Sequence, residues 1–247
     1  MDKPKLRDSK HRKSTEPFAL NIIPDSVIHS IGEHLIYLIS VGSSDISGEH
    51  WGDALAFAVG GSHLSTPLGI ADVVLGKMAW STKTVKNTTK GGLLKAKSVN
   101  LISGRCSPDY SYGIKDSHED IQKTGAAVLS IWNERVSIAQ DNYSIVRTSV
   151  LVRSQDLLSY VLFEQENHRF RTTDYEWKEN KRGNLKGILK GTNKHIFTWQ
   201  PHGSQFTIHT EIPQSAKKFT IKKPPIIPKI ETLNSIGFDS SWITILK

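Results

Sequence analysis

Sulfur chemistry, long apolar runs and nucleotide-binding punctuation are all scarce in this sequence. Its single cysteine, Cys106, excludes an internal disulfide framework and a multi-thiolate zinc site, which suits a reducing cytoplasm. No apolar run approaches the roughly 20 residues needed to cross a bilayer. The stretch Met1-Asp-Lys-Pro-Lys-Leu-Arg7 also lacks the apolar core of a secretory signal, so a soluble cytoplasmic protein without a membrane partner is expected. The Gly-x-x-x-x-Gly-Lys-Ser/Thr pattern is missing, which argues against a nucleotide-driven motor. Histidine is present ten times, but never in the His-Glu-x-x-His spacing of a zinc hydrolase.

Positive charge, by contrast, is in excess. A formal charge of +8 on 247 residues favours an acidic partner, and nucleic acid is the expected one. Part of the excess lies in a polar leader, at Lys3, Lys5, Arg7, Lys10, Arg12 and Lys13. The rest clusters around a Pro-Pro break, at Lys217, Lys218, Lys222, Lys223 and Lys229, where contact with DNA is the favoured reading. The length allows one large α/β domain, or a core with a smaller appended lobe, without covalent staples.

Hydrophobic spacing organises the chain. Pro24-Asp-Ser opens an amphipathic helix with Ile28, Ile31, Leu35, Leu38 and Ile39 at helical intervals, and Ser47 caps a second helix from Glu49 to about Val59, stopped by Gly60-Gly61. Glu49 and Asp53 fall one turn apart on the same face of it. A hairpin follows, then a basic connector, a strand at Ser98 to Ile102, and an extended polar loop over Ser103 to Gly113. Ser117 is expected to cap a long helix, His118 to about Ala139, with Ile121, Gly125, Val128, Trp132, Val136 and Ala139 on one stripe. Ser144 to Arg153 and Ser159 to Glu166 read as β-branched strands, and the remainder from Arg169 as short strands and turns. This order indicates a mixed α/β sandwich.

The hairpin carries the chemistry. In Gly69-Ile-Ala-Asp-Val-Val-Leu-Gly-Lys-Met-Ala-Trp-Ser-Thr-Lys83, Asp72 interrupts an apolar strand, Gly76-Lys77 makes the turn, and the returning strand brings Lys83 near Asp72. Phosphodiester hydrolysis needs neutralised phosphate charge and a deprotonated water, both of which Mg²⁺ supplies through hard oxygen ligands. Glu49, Asp72 and the Thr82 carbonyl can converge on such an ion, with Lys83 beside it. The competing reading has Asp72 capping a turn and Lys83 on an exposed edge strand.

These residues resemble the PD-(D/E)xK nuclease superfamily, whose core is a helix carrying an acid, a strand with Asp, and a strand with (Glu/Asp)-x-Lys. The matching pieces are Glu49 in Gly-Glu-His-Trp-Gly-Asp, Asp72 in Ile-Ala-Asp-Val-Val-Leu, and Ser81-Thr-Lys83. The resemblance covers roughly residues 45 to 105. It implies an α/β, restriction-endonuclease-like fold: a central mixed β-sheet flanked by helices, with a β-rich C-terminal part. It further implies Mg²⁺ held by Asp72, Glu49 and Thr82, and catalysis by Asp72, Glu49, Lys83 and Ser81. Ser81 stands where the family usually has a second carboxylate, so that acid must come from elsewhere. Glu49 is the first candidate, Asp53 the second, and Glu119 or Asp120 the third.

Two polar segments are candidates for base reading. Arg105 can donate twice to guanine and Asp109 can accept from cytosine, with Tyr110 flanking them; alternatively the pair orders a turn. In Trp199-Gln-Pro-His-Gly-Ser-Gln205, Gln200 and Gln205 can read adenine, with His202 and Ser204 between them; alternatively this is a plain hairpin tip. Cys106 reads as an inert thiol because no base or oxyanion site accompanies it. The expected organisation is a flexible basic arm over residues 1–17, a catalytic core over 18–168 and a β-rich DNA-contacting region over 169–247 on the same domain. The expected function is type II restriction: sequence-specific cleavage of double-stranded DNA by a homodimer, with a cognate DNA methyltransferase as a genetic partner only. The alternatives are a repair or structure-specific nuclease, and a DNA-binding module that does not cut.

Overall fold

A computed structural model describes residues 16–88 and 92–246, so the leader lysines and arginines from Lys3 to Lys13 lie outside the described residues. Two helices come first, α1 (Asp25–Ser40) and α2 (Gly48–Val59). Ser47 caps α2 by accepting from the His50 amide at 3.1 Å, and Gly60 ends it in the left-handed conformation that its missing Cβ permits. A meander follows, β1 (Ser62–Leu68), β2 (Ala71–Leu75) and β3 (Met78–Lys86), in which Gly76-Lys77 forms a two-residue turn between the paired Leu75 and Met78. After β4 (Ser98–Arg105) and α3 (Pro108–Tyr112), the long α4 (Ile121–Asn142) crosses over to β5 (Ile145–Arg153), which pairs parallel with β3 along its whole length. β6 (Ser159–Glu166) returns antiparallel.

The remaining strands are β7 (Tyr175–Glu179), β8 (Leu185–Leu189), β9 (His195–Gln200), β10 (Gln205–Glu211) and β11 (Lys217–Thr220), before α5 (Lys229–Ser235). They do not form a separate lobe. A six-stranded mixed sheet runs β1-β2-β3-β5-β6-β11, and a five-stranded antiparallel sheet runs β4-β10-β9-β8-β7. Thus β4, from the first half of the chain, joins the second sheet, while β11, from the end, returns to the first.

One face of the six-stranded sheet is covered by α1 and α2, whose Ile31, Leu35, Trp51 and Leu55 pack on Val73, Met78, Trp80 and Leu151. The other face meets α4 through Ala79 and Val146 against Val128, Trp132 and Val136, and α4 in turn lies under Phe197, Trp199 and Phe206 of the second sheet. Where α4 is absent, Val150, Val152 and Phe163 pack directly on Val99 and Leu101. Burying such side chains stabilises by about 1.5–3 kcal/mol each. The fold is therefore α/β, with a mixed sheet flanked by helices and a β-rich C-terminal region. Among the described residues no helix is long and apolar enough to cross a membrane.

Four local expectations change. The segment between Gly61 and Gly69 is an edge strand, β1, unforeseen because its Ser62-His-Leu-Ser-Thr-Pro-Leu68 is mostly exposed and shows no alternation. The polar loop contains α3, capped by Ser107 with Pro108 in the first turn. The long helix starts at Ile121, because Asp120, not Ser117, accepts from the Lys123 amide at 2.9 Å. The C-terminal stretch includes the helix α5.

Candidate active site

The β2–β3 ladder explains why a carboxylate interrupts β2. Backbone pairing runs through Leu75↔Met78, Val74↔Ala79 and Val73↔Trp80, and stops. One residue further on, the Asp72 side chain takes over as acceptor: the Thr82 amide donates to its Oδ2 at 2.8 Å, joined by the Ser81 hydroxyl at 3.3 Å. The two strands part at this point, and polar side chains fill the opening.

Ser81 and Lys83, two residues apart on β3, share the face that carries Ala79 and looks toward α4. Lys83 Nζ donates to Ser81 Oγ at 2.8 Å and to the Thr82 carbonyl at 3.0 Å, and lies 3.7 Å from Asp72 Oδ2. Three oxygens of different kinds thus surround one cation. Burial pushes the Lys83 pKa down and the charge of Arg135 adds to that, while Asp72 opposes it. The side chains of Lys83 and Asp72 are each about one-fifth exposed, so a solvent-borne ligand can reach them. Every hydrogen bond to Asp72 falls on Oδ2, leaving Oδ1 without a donor among the described residues.

Glu49 is not part of this cluster. It opens α2 with its side chain 86% exposed, and its carboxylate lies 3.6 Å from His63 Nε2. The other ring nitrogen of His63 contacts Asp53 at 2.8 Å, so both acids of α2 face one histidine of β1. Glu119 and Asp120 lie at the N-terminal end of α4. Arg135, whose charge acts on Lys83, sits 14 residues beyond the first residue of α4, about 21 Å along a helix rising 1.5 Å per residue. Among the described residues no three His, Cys, Asp or Glu side chains group as a metal site, and Asp72 is the sole carboxylate of the cluster.

The base-reading candidates do come together. Gln205, at the start of β10, stands opposite Arg105 at the end of β4 and opposite Gln200 at the end of β9. Their inward neighbours Phe206 and Trp199 are buried, so this row of three lies on the outer face of the five-stranded sheet. His202 and Ser204 form the turn between β9 and β10. Asp109 and Tyr110 lie on α3, directly after Arg105, with Tyr110 93% exposed. Cys106 ties the two segments: its amide donates to the Ser204 carbonyl at 2.8 Å, and its carbonyl accepts from Trp199 Nε1 at 2.8 Å. No ion pair joins Arg105 to Asp109 among the described residues. The Cys106 thiol is buried and pushed up to about 12, as befits an inert residue.

The second basic cluster is placed elsewhere. β11, with Lys217 and Lys218, forms the edge of the six-stranded sheet three strands away from β3, about 14 Å at ordinary strand spacing. Sequence reasoning also passed over Arg135. The available signal was spacing: it lies three residues after Trp132 and four before Ala139, so a charge sits at the margin of the buried stripe. Comparison with protein-family models, with curated proteins and with solved structures finds no match for this chain.

Proposed function

We propose that this chain is a Mg²⁺-dependent, sequence-specific endonuclease for double-stranded DNA, of the type II restriction kind and the PD-(D/E)xK superfamily. The observation that carries the reading is the convergence of Asp72, Ser81, Thr82 and Lys83 where β2 and β3 part, an oxygen cluster that already surrounds a cation. The element order supports it: a helix bearing an acid, the meander with Asp72 and Lys83, then a helical crossover to a strand parallel to β3.

The donors fit Mg²⁺ in kind, being carboxylate, hydroxyl and backbone carbonyl oxygens, but they supply one carboxylate. Asp72 and the Thr82 carbonyl would hold the ion, with Ser81 contributing a hydrogen bond or weak ligand. Glu49 is proposed as the second acid, since among the described residues its exposed side chain is held only by the contact to His63. When bound, the ion neutralises phosphate charge and acidifies water. Lys83 donates to the attacking oxygen and offsets negative charge as it develops. Water adds to phosphorus and the bond to the 3′ oxygen breaks, giving 5′-phosphate and 3′-hydroxyl ends.

Arg105, Asp109, Tyr110, Gln200, His202, Ser204 and Gln205 are the proposed DNA-reading set, gathered at one end of the second sheet. A two-fold homodimer would match a palindromic site, with a cognate methyltransferase protecting the host genome. Incubation with assorted plasmid and phage DNA, in Mg²⁺ or EDTA, tests the reading. Discrete Mg²⁺-dependent fragments are expected. A smear or selective cutting of branched DNA would assign a repair nuclease instead, and retention without cutting a binding module.

A further inference from the structure

Arg135 occupies the seam between the two groups of residues above. Its Nη2 points to the carbonyl of Gly69, three residues before Asp72, at 3.5 Å, and its Nη1 to the carbonyl of Ser103, two residues before Arg105, at 3.4 Å. Both contacts are at the long limit of a hydrogen bond, and a guanidinium carries five N–H donors, so most of its donor capacity is unused among the described residues. The surroundings are cleared for it. Gly104 has φ +109°, and a Cβ there would run into the guanidinium; Gly69 has φ +66°, and a Cβ there would run into the backbone carbonyl of Arg135.

Charge completes the picture. Arg135 rises from α4, which packs on the face of β3 that bears Lys83, and reaches the turn leading to Asp72; its charge acts on the ammonium, and Asp72 is the carboxylate 3.7 Å from Lys83. Two cations facing one anion leave a surplus positive charge in a half-buried place, where a second anion is attracted more strongly than at an open surface. The free guanidinium edge suits paired phosphate oxygens.

Resting on the nuclease reading of the same site, we propose that Arg135 and Lys83 form a phosphate-binding site that clasps the non-bridging oxygens of one DNA phosphate between the β1–β2 turn and β4. Lys83 neutralises it as a point charge. Arg135 fixes its orientation, and because the guanidinium contacts the strand ending in Arg105, it sets the register between the cut phosphate and the bases being read.

The test is retention of a short labelled DNA duplex in EDTA over a salt series, with wild type, Arg135→Gln and Arg135→Lys, beside a titration with inorganic phosphate followed by ³¹P NMR. Arg135→Gln is expected to lower the log–log salt slope by about 1. It is also expected to abolish phosphate binding, while Arg135→Lys keeps the slope and loses affinity several-fold. An unchanged slope in Arg135→Gln overturns the proposal and leaves the nuclease reading standing. Should wild type retain no duplex, the nuclease reading fails and the phosphate titration decides: binding lost in Arg135→Gln upholds the site, while equal binding or none in wild type overturns it. Should Arg135→Gln fail to fold, Arg135→Ala with added guanidinium ion takes its place, and failure of that ion to restore phosphate binding overturns the site.

Discussion

Two ionic groups of the six-stranded sheet are built in opposite ways. Arg147 and Glu164 are paired at 3.0 Å with side chains 5% and 1% exposed. Arg147 also donates to Phe18 O and to Glu16, while Glu164 accepts from Trp80 Nε1 at 2.6 Å. Among the described residues only Nε of this arginine lacks a partner. Lys83 and Asp72, two and three strands away from Glu164, are several times more exposed and sit with Arg135 among free donor and acceptor positions of the described residues. The first group is enclosed, with all but one of its donor and acceptor atoms paired among the described residues. The second is half-open and keeps bonding capacity in reserve.

Breaking each group should separate these roles. Arg147→Met leaves Glu164 buried without its main partner and is expected to cost about 3–5 kcal/mol of stability. Asp72→Asn keeps an acceptor for the Thr82 amide and is expected to cost less than about 1 kcal/mol. Guanidinium titration of both variants measures the contrast, and equal losses would erase it. Lys83→Met is expected to slow cleavage by about 10²–10³ and to weaken duplex retention several-fold, the larger loss falling on the chemical step, where negative charge develops beside the ammonium. Single-turnover rates check this. Next in size, Glu49→Gln is expected to raise the Mg²⁺ concentration for half-maximal cleavage by about tenfold; an unchanged midpoint would remove Glu49 from the site.

The smallest effect extends the comparison to the second sheet. His209 faces His195, Thr198 and Asn100, with Lys186 two strands away on β8, and its pKa is lowered to about 4, first by burial and then by the charges of His195 and Lys186. Its neutral form is favoured in the folded state, so the unfolded chain binds more protons between the ordinary value of 6.5 and about 4. Stability from this group is complete above that window and is lost as pH falls through it. His209→Gln should flatten the acid limb of a stability-against-pH curve, and an unaltered limb would show that the pair contributes nothing.

The hairpin was legible because it is local: alternation about Gly76-Lys77 places Asp72 near Lys83 from sequence alone. The cap at Ser47 was legible for the same reason. What sequence did not show is long-range. Nothing in Lys217–Thr220 announces that it pairs with β6, nor in Ser98–Arg105 that it leaves its neighbours for β10. The sequence offers Arg105 in one segment and Gln200 with Gln205 in another, and only the register of β4, β10 and β9 makes them one row. Glu49 marks the limit of motif reasoning. The order helix-acid, strand-Asp, strand-Lys is present, yet the carboxylate lies against His63, a residue the pattern does not mention.

The central claim is that Asp72 serves chemistry and not the fold. The most direct measurement is the rate of Mg²⁺-dependent DNA cleavage by Asp72→Asn beside wild type, on one duplex that both retain equally and at a temperature where both are folded. The expected result is discrete fragments from wild type and none from the variant. Cleavage by the variant at the wild-type rate, or unfolding of the variant in place of lost cutting, would contradict it.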